Sequence, residues 1–162
     1  MIENLAFTIR KATINDCKTI LELIFDIAHY ENLSDEVINT KEKIETYLFG
    51  DKKFAECFLA FENDIPVGFS LFFHNYSTFV GKPGIYLEDL FVKEQFRGKG
   101  YGKKLLINLI KVAKDRNCGR VEWSVLNWNK PAIDFYESLG AEAMKGWTVY
   151  RLNEQKIELL AK

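Results

Sequence analysis

The sequence has little of what marks disulfide-rich, membrane-spanning or nucleic-acid-binding proteins. Its 3 cysteines are widely spaced and odd in number, which argues against a disulfide framework and favours a reducing, cytoplasmic location. No apolar run approaches the roughly 20 residues that a membrane span needs. The start, Met1 to Asn4, lacks the basic and apolar regions of a signal peptide. The net charge is −1 and no basic run occurs, so we expect neither a membrane nor a nucleic acid as a partner.

Internal repeats, low-complexity tracts and linkers rich in Gly, Pro or Ser are also absent. Hydrophobic residues make up 48% of the chain and charged residues 28%, which is typical of a globular protein with a core. The 14% of aromatic residues favours strands. We therefore predict a single domain over residues 1–162.

The hydrophobic pattern predicts the order strand, two helices, three strands, helix, strand, helix, strand. Asn15 or Asp16 would cap the first helix, Thr40 the second and Asn129 the last, and Gly119 would end the helix that follows the glycine-rich segment. The fold class is therefore mixed α/β (α+β), with one central sheet flanked by helices. The strands are predicted at 7–10, 54–61, 67–74, 85–92, 120–125 and 147–152, and the helices at about 16–30, 40–50, 102–119 and 129–140, with a turn at 81–84.

Three glycines lie between a predicted strand and a predicted helix, in Arg97-Gly98-Lys99-Gly100-Tyr101-Gly102. Glycine lets backbone N–H groups turn towards an anion, and a helix start adds free N–H groups and a positive dipole end, so a pyrophosphate is the expected guest. The dinucleotide-binding motif G-x-G-x-x-G requires a glycine where this chain has Lys103. The P-loop motif G-x-x-x-x-G-K-[ST] requires a glycine where this chain has Arg97. The pattern that remains is R-x-x-G-x-G, and the alternative is a tight turn that binds nothing.

This loop and the segment Asn129-Lys130-Pro131-Ala132-Ile133-Asp134-Phe135-Tyr136 together resemble the Gcn5-related N-acetyltransferase (GNAT) superfamily. The resemblance implies the acyl-CoA N-acyltransferase fold and acetyl-CoA as cosubstrate. It also implies that the loop binds the pyrophosphate, that the preceding strand aligns the pantetheine arm, and that the helix start at Asn129 contacts the cofactor. The residues so implied are Leu90, Phe91, Val92, Arg97, Gly98, Lys99, Gly100, Tyr101, Gly102, Lys103, Asn129, Pro131 and Ala132.

Within that superfamily the chain resembles the spermidine/spermine (diamine) N-acetyltransferase group over nearly its whole length. The resemblance is carried by Ala28-His29-Tyr30-Glu31, Tyr86-Leu87-Glu88-Asp89-Leu90-Phe91-Val92, Trp128-Asn129, Phe135-Tyr136 and Gly146-Trp147. One branch of the group acts on polyamines and another prefers thialysine and lysine-like amines. Polyamine enzymes carry an acidic residue where this chain has Ser77, so the thialysine branch is the closer match. The resemblance also implies a homodimer.

An amine acceptor must be bound as a cation and must attack as a neutral base. Because its pKa is near 10, deprotonation at neutral pH costs about 4–5 kcal/mol. Glu88 is the better candidate for the proton acceptor. Asp89 either serves the same site, or makes a structural hydrogen bond or faces solvent. The two would share one site only if their strand were bulged. Tyr136 is either the acid that protonates the departing thiolate or a core aromatic residue. The resemblance implies substrate contacts at Tyr30, Glu31, Glu88, Asp89, Glu122, Trp123 and Ser124.

No metal is expected, because His29 and His74 are isolated and no zinc-ligand spacing occurs. Two rival functions remain open. A protein N-terminus or a lysine in a protein could be the acceptor, which would require an open groove. A module that binds acetyl-CoA without catalysis would be expected to have lost the tyrosine or the glycine loop, whereas Tyr136, Arg97 and both motif glycines are present.

Overall fold

The computed structural model describes residues 6–162, so Met1 to Asn4, on which the signal-peptide prediction rests, lie outside the described residues. The chain divides into two compact units, one ending at Ser124 and one formed by Val125–Lys162. Within the described part, no helix combines the length and apolar character needed to cross a membrane.

The first unit contains one five-stranded sheet whose spatial order follows the chain. The first four strands pair antiparallel and the fifth pairs parallel to the fourth, which confirms the predicted mixed sheet. The strands are β1 (Phe7–Lys11), β2 (Glu56–Glu62), β3 (Ile65–Ser77), β4 (Lys82–Val92) and β5 (Val121–Trp123).

Three helices belong to this unit: α1 (Cys17–Tyr30), α2 (Lys41–Ile44) and α3 (Tyr101–Asp115). A π-helical turn, Glu45–Phe49, continues α2, and 3-10 turns occur at Ile14–Asp16, Ser34–Glu36 and Glu94–Phe96. Buried side chains of α1 and α2 cluster with Leu59 of β2, whereas buried side chains of α3 cluster with Ala60. Because neighbouring strand residues point to opposite faces, the two clusters lie on opposite faces of the sheet.

The helix starts follow from short polar side chains. Thr40 caps α2 as predicted, since its hydroxyl accepts a hydrogen bond from the Lys43 N–H at 3.3 Å. Asp16 precedes α1, but its carboxylate accepts from the Thr13 N–H at 2.7 Å and from the Arg10 guanidinium at 2.8 and 2.7 Å. The guanidinium holds the pKa of Asp16 well below its usual range. Asp16 therefore fixes the connection between β1 and α1 rather than capping the helix.

Two predicted boundaries are wrong. Helix α3 ends earlier than Gly119, because Asn117 takes the left-handed conformation (φ +54°) and the Cys118 N–H then donates to the Ala113 carbonyl at 2.9 Å. Asparagine is the usual alternative to glycine at this position. The predicted turn at 81–84 is also shifted, since β4 already begins at Lys82 and the connection runs from Ser77 to Lys82.

The second unit contains α4 (Lys130–Ser138) and α5 (Glu154–Leu160). Helix α4 begins as predicted, and Gly140 follows its end with a φ of +86°. The strand predicted at 147–152 is absent, since these residues pair with no strand among those described and Tyr150 is 91% exposed. An extended segment without a hydrogen-bonded neighbour is not a strand, whatever its β-propensity. Helix α5 was not predicted; Asn153 caps it by accepting from the Lys156 N–H at 3.0 Å.

Candidate active site

A β-bulge in β4 brings the two candidate carboxylates to the same face of the sheet. Leu87 pairs with Phe72 of β3 and Asp89 pairs with Leu71, so Glu88 is the extra residue. Strand alternation puts Tyr86 and Glu88 on one face, and the bulge adds Asp89 to that face. The condition that the sequence analysis set for a shared site is therefore met.

Asp89 faces an apolar environment beneath α1. Cys57 of β2 and Leu71 of β3 lie beside it across the sheet. Two residues further along β4, Phe91 packs in the core formed with α1. Burial raises the pKa of Asp89 to about 7, and the negative charges of Glu88 and Glu31 add to this rise. The pKa of the Cys57 thiol is also raised, mainly by burial and further by Asp89.

Glu31 extends the acidic surface from the end of α1. It is the first residue after the helix, where its backbone N–H donates to the Ile27 carbonyl at 2.9 Å. Burial raises the pKa of this carboxyl as well. Glu31, Glu88 and Asp89 thus place three carboxyl groups in one region, and the pKa values of Glu31 and Asp89 are raised. This arrangement favours binding of a cation, because a positive charge would lower the cost of ionising them.

A cleft of about 510 Å³ opens where α1 ends, with Tyr30 and Phe91 among its lining residues. The Arg97 guanidinium lies over the Tyr30 ring, 4.2 Å from its centroid, and 5.5 Å from the Phe91 centroid. Arg97 Nε also donates to the Val92 carbonyl at 2.9 Å. Arg97 therefore connects the glycine loop both to the end of β4 and to the predicted substrate residue Tyr30.

Glu122 of β5 and Ser124, which follows β5, are predicted to contact the substrate, and each interacts with a side chain of β3 or β4. Glu122 Oε2 accepts from Asn75 Nδ2 at 2.9 Å and lies 2.8 Å from Arg120 Nε. Ser124 Oγ lies 2.8 Å from the Tyr86 hydroxyl, whose ring stacks on Phe73. Trp123, between them, is partly buried. Glu122 is thus charge-balanced, whereas Ser124 borders the face that carries Asp89.

The strand pairing leaves one edge of β4 without a partner strand. The parallel ladder with β5 covers only Ile85 to Leu87. Beyond it, Leu90, Phe91 and Val92 pair with β3 alone among the strands of the described chain. The Val92 carbonyl accepts from Arg97 Nε, and the other backbone groups on this edge face no partner strand among those described, as binding of an extended, amide-containing ligand would require. The resemblance assigned the pantetheine arm to this stretch.

The glycine loop has the geometry of an anion cradle. Gly98 and Gly100 both adopt left-handed φ values, +79° and +78°, and a Cβ at either position would meet no atom within 4 Å. The Lys104 N–H makes the i−4 helical bond to the Gly100 carbonyl at 3.1 Å. The N–H groups of residues 101–103 precede that bond and have no acceptor within the helix. These residues fit a pyrophosphate.

The side chains of Lys99 and Tyr101, which lie between the glycines, both contact Glu62, a residue that was not among the predicted site residues. Lys99 Nζ lies 3.0 and 2.9 Å from the two carboxylate oxygens of Glu62, and the Tyr101 hydroxyl donates to the same carboxylate. The predicted cofactor residues Lys99 and Tyr101 can therefore serve the cofactor through their backbones. Lys103, in the first turn of α3, is exposed. No local signal in the sequence distinguishes Glu62 from an ordinary strand-end glutamate.

The second unit holds the remaining predicted residues. Asn129 is buried, and its side-chain oxygen accepts from the Ala132 N–H at 3.3 Å, which caps α4, with Pro131 in the first turn. Tyr136 lies on α4, partly buried, with its ring 5.3 Å from that of Phe135. Both residues are thus on the helix that the motif predicted.

Ser77, which carried the choice between the two branches, lies at the end of β3. Its buried hydroxyl accepts from the Val80 N–H at 3.2 Å and so closes the connection to β4. It lies six strand positions beyond Leu71, the partner of Asp89, which is roughly 20 Å along the strand. Within this chain, Ser77 therefore has a turn-forming role away from the acidic face.

The sequence between residues 19 and 141 matches the acetyltransferase (GNAT) family. The chain belongs to that family. This confirms the predicted superfamily and an enzyme of the acetyltransferase class, for which acetyl-CoA is the acetyl donor. The matched region spans both the acidic bulge and the glycine loop, and it extends through Tyr136 on α4.

Several curated proteins resemble this acetyltransferase, and the two thialysine enzymes below do so over most of their length. A thialysine N-epsilon-acetyltransferase of Bos taurus is 38% identical over 164 residues, which cover 94% of this chain and 96% of that protein. A homologous enzyme of Caenorhabditis elegans with the same name is 32% identical and covers 96% and 97%. An L-ornithine N5-acetyltransferase of Arabidopsis thaliana is 46% identical over 101 residues, 62% of this chain and 44% of that protein.

Solved structures confirm the fold of this acetyltransferase. An integron cassette protein from V. cholerae superposes with a TM-score of 0.81 at 25% identity and covers 98% of this chain and 99% of that one. An aminoglycoside acetyltransferase from a soil metagenomic sample, in complex with sisomicin, has a TM-score of 0.78 at 22% identity and covers 94% and 100%.

Proposed function

We propose that this acetyltransferase transfers the acetyl group of acetyl-CoA to a primary amine of a small cationic molecule, and that thialysine or a lysine-like amine is preferred to polyamines. The observation that carries this proposal is the acidic bulge, where Glu88 and Asp89 share a face with Glu31 nearby. The names of the curated relatives support the choice of a compact amine.

The three carboxyl groups would bind the ammonium form of the substrate. The same region must then accept a proton, so that the amine can attack directly in a ternary complex. The sequence analysis favoured Glu88 for this step, and Glu88 remains a candidate. Asp89 is the second candidate, because an acceptor whose pKa is near 7 is matched to neutral pH. Tyr30, Trp123 and Ser124 would border the substrate.

Acetyl-CoA supplies the activated acetyl thioester when it is bound. The open edge of β4 from Leu90 to Val92 would align the pantetheine arm and offer an N–H to the developing oxyanion. Backbone N–H groups of residues 98–103 would hold the pyrophosphate, and the start of α4 at Asn129 would contact the cofactor. Tyr136 would donate a proton to the departing thiolate.

The wider assignments follow the same resemblance. We propose that residues 1–162 act as a single acetyltransferase domain, because the family match runs across both units. A cytoplasmic location agrees with three free cysteines, of which Cys17 and Cys57 are buried. A homodimer is supported by the exposed apolar side chains of Trp147, Val149 and Tyr150.

Thiol release from acetyl-CoA, measured with thialysine, lysine, ornithine, spermidine and putrescine, tests the proposed function. We expect kcat/KM for thialysine to exceed that for spermidine by about tenfold or more. Tyr136→Phe should lower kcat about 100-fold and leave CoA binding unchanged, because only the proton donor is removed. Tyr47→Phe, which alters a 52% exposed tyrosine in the π-helical turn after α2, is the matched control and should behave as wild type.

The outcomes separate the alternatives. A preference for spermidine would keep the chemistry and refute the assignment to thialysine-like amines. Turnover of an N-terminal peptide above every small amine would refute the small-substrate proposal. CoA binding without turnover of any amine or peptide would refute catalysis.

A further inference from the structure

Glu62 occupies an unusual position for a charged residue. It is the last residue of β2, only 6% exposed, and its carboxylate accepts hydrogen bonds from both Lys99 and Tyr101. Neither donor belongs to the sheet. Lys99 lies in the loop between β4 and α3 and Tyr101 is the first residue of α3, so the two alternate with Gly98, Gly100 and Gly102.

The Tyr101 side chain anchors the loop on the same side. Its ring is buried and stacks on Phe7 of β1, with centroids 4.1 Å apart. The Lys99 ammonium lies 5.4 Å from the Phe96 ring centroid. The side chains of Lys99 and Tyr101, the two residues between the three glycines, are therefore both directed to the buried Glu62 carboxylate and the aromatic rings around it.

This anchoring compensates for the freedom that the glycines introduce. Gly98 and Gly100 have no side chain that could restrain them, and a Cβ on either would meet open space. A glycine-rich loop left to itself would sample many conformations and would lose that entropy on binding an anion. A loop already held in its binding conformation binds more tightly because this cost has been met on folding.

We infer that Glu62 is a positioning residue for the pyrophosphate loop: it fixes residues 98–102 through Lys99 and Tyr101 and thereby sets the affinity for CoA without contacting it. The inference rests on the proposed function, in which this loop binds acetyl-CoA. It also assigns the charge of Lys99 to Glu62 rather than to a phosphate.

Glu56 provides a matched control on the same strand. It is the first residue of β2 as Glu62 is the last, and it likewise binds two side chains: Arg116, with Nη2 at 3.0 Å, and Lys11 at 2.7 Å. None of these three residues belongs to the glycine loop. Glu56→Ala therefore removes a comparable set of hydrogen bonds without releasing residues 98–102.

The experiment titrates CoA into the full-length wild type, Glu62→Ala, Glu62→Gln and Glu56→Ala by calorimetry, with thermal unfolding of each free protein. We expect Glu62→Ala to raise the Kd for CoA about 5–20-fold, since the charge-assisted hydrogen bonds from Lys99 and Tyr101 are lost. Glu62→Gln keeps acceptor capacity and should recover part of the loss. Glu56→Ala should stay within about twofold of wild type, whatever its melting temperature.

Steady-state kinetics supply the second readout. In Glu62→Ala the KM for acetyl-CoA should rise while the KM for thialysine stays within about twofold. If Glu62→Ala does not fold, Tyr101→Phe removes one hydroxyl, keeps the ring, and should still weaken CoA binding. Lys99→Met should add nothing further to Glu62→Ala, because both substitutions break the same contact.

The inference is overturned if Glu62→Ala and Glu56→Ala weaken CoA binding equally, which would indicate a general loss of stability. It is also overturned if Lys99→Met weakens binding in the Glu62→Ala background, which would mean that Lys99 contacts the phosphates itself. Wild type that binds no CoA would refute the proposed function instead, and the two failures are thus distinguishable.

Discussion

In the proposed function, Asp89 would combine a binding and a chemical role. Its carboxyl lies on the face covered by α1, near Glu31 and Glu88, and its pKa is raised to about 7. A carboxyl of ordinary pKa would be ionised at neutral pH but would be a weak base. Asp89 is half-protonated near neutrality, and an approaching cation would shift it towards the ionised form that accepts a proton.

The first prediction concerns the stability cost of this carboxyl. Because the folded-state pKa of about 7 exceeds the ordinary value of 3.8, the carboxyl costs nothing below pH 3.8, destabilises the fold increasingly between pH 3.8 and 7, and keeps that cost at higher pH. Asp89→Asn should therefore raise the free energy of unfolding at pH 8 by about 1–3 kcal/mol. The gain should vanish near pH 4. Urea unfolding at both pH values measures it.

The same variant should lose most of its turnover, since it gains stability by losing an ionisable group at the site. Asp51→Asn is the matched control, because Asp51 is exposed and lies before β2, so its substitution should leave both stability and turnover unchanged. Equal stability of Asp89→Asn and wild type at pH 8 would show that Asp89 is not under strain.

For single residues, the sequence predicted which side chains are candidates for the site better than it predicted what surrounds them. Glu88 and Asp89 were recognised as candidates, but their shared face depends on the register between β3 and β4. Likewise, the raised pKa of Asp89 depends first on its burial and then on Glu88 and on Glu31, which comes from the end of α1. Glu62 was missed because its two partners lie on a distant loop and a strand-end glutamate ordinarily faces solvent.

Among the elements, the loop between β4 and α3 separates two roles of glycine. Gly100 has a left-handed φ of +78°, so a side chain there would strain the backbone although the space is open. Gly102 lies in the first turn of α3, where its Cβ would make only an ordinary contact, 3.9 Å from Val92. Gly100 is needed for its backbone conformation, whereas Gly102 would leave room for the pyrophosphate in the proposed function.

Gly100→Ala and Gly102→Ala should therefore behave differently. Gly100→Ala should cost about 1 kcal/mol of stability and should also weaken CoA binding. Gly102→Ala should leave stability unchanged or slightly higher, as alanine favours a helix, yet should weaken CoA binding because a methyl group covers the helix start. Thermal unfolding and CoA titration measure the two effects. Normal CoA binding by Gly102→Ala would argue against a pyrophosphate at this helix start.

Strand β2 carries a second charge-dependent contact, at its other end. Arg116 and Lys11 hold the pKa of Glu56 down, to about 2. The stabilisation is therefore present above pH 4.5 and is lost as pH falls towards 2. Glu56→Gln should lower the free energy of unfolding at pH 7 by about 1–2 kcal/mol, after allowing for solvent screening of the partly exposed pair.

The difference between Glu56→Gln and wild type should shrink as pH falls towards 2, and denaturant unfolding across this range follows it. Asp134→Asn breaks an exposed ion pair with Lys130 and is the control, with no measurable change expected. A constant difference at all pH values would indicate that packing, not charge, holds Glu56.

Most elements could be predicted because alternation and helical spacing are local signals. The caps at Thr40 and Asn129 followed from side-chain chemistry alone. The errors arose where a partner decides the outcome: residues 147–152 have strand composition but no neighbouring strand, and Asn117 takes the helix-ending role expected of Gly119. A sequence pattern cannot show whether an extended segment finds a neighbour.

For the whole molecule, the prediction is a dimer. Light scattering after size-exclusion chromatography should give a mass of twice 18.8 kDa. The reason is the number of apolar side chains exposed between Met144 and Leu160, which a monomer would leave in water. Trp147→Ser together with Tyr150→Ser should shift the mass towards the monomer, and Phe79→Ser, at a different exposed position, serves as control. A monomeric wild type at micromolar concentration would contradict the prediction.

The interrupted pairing between β4 and β5 has a consequence for how long the protein persists in a cell. Among the strands of the described chain, none pairs with β4 beyond Leu87 on that side, and in the proposed function a bound cofactor arm would occupy the gap. Binding free energy then adds to folding free energy, about 2.7 kcal/mol at one hundred times Kd. Since quality control removes unfolded chains, the abundance of the enzyme would follow the supply of acetyl-CoA, and a starved cell would degrade the protein sooner.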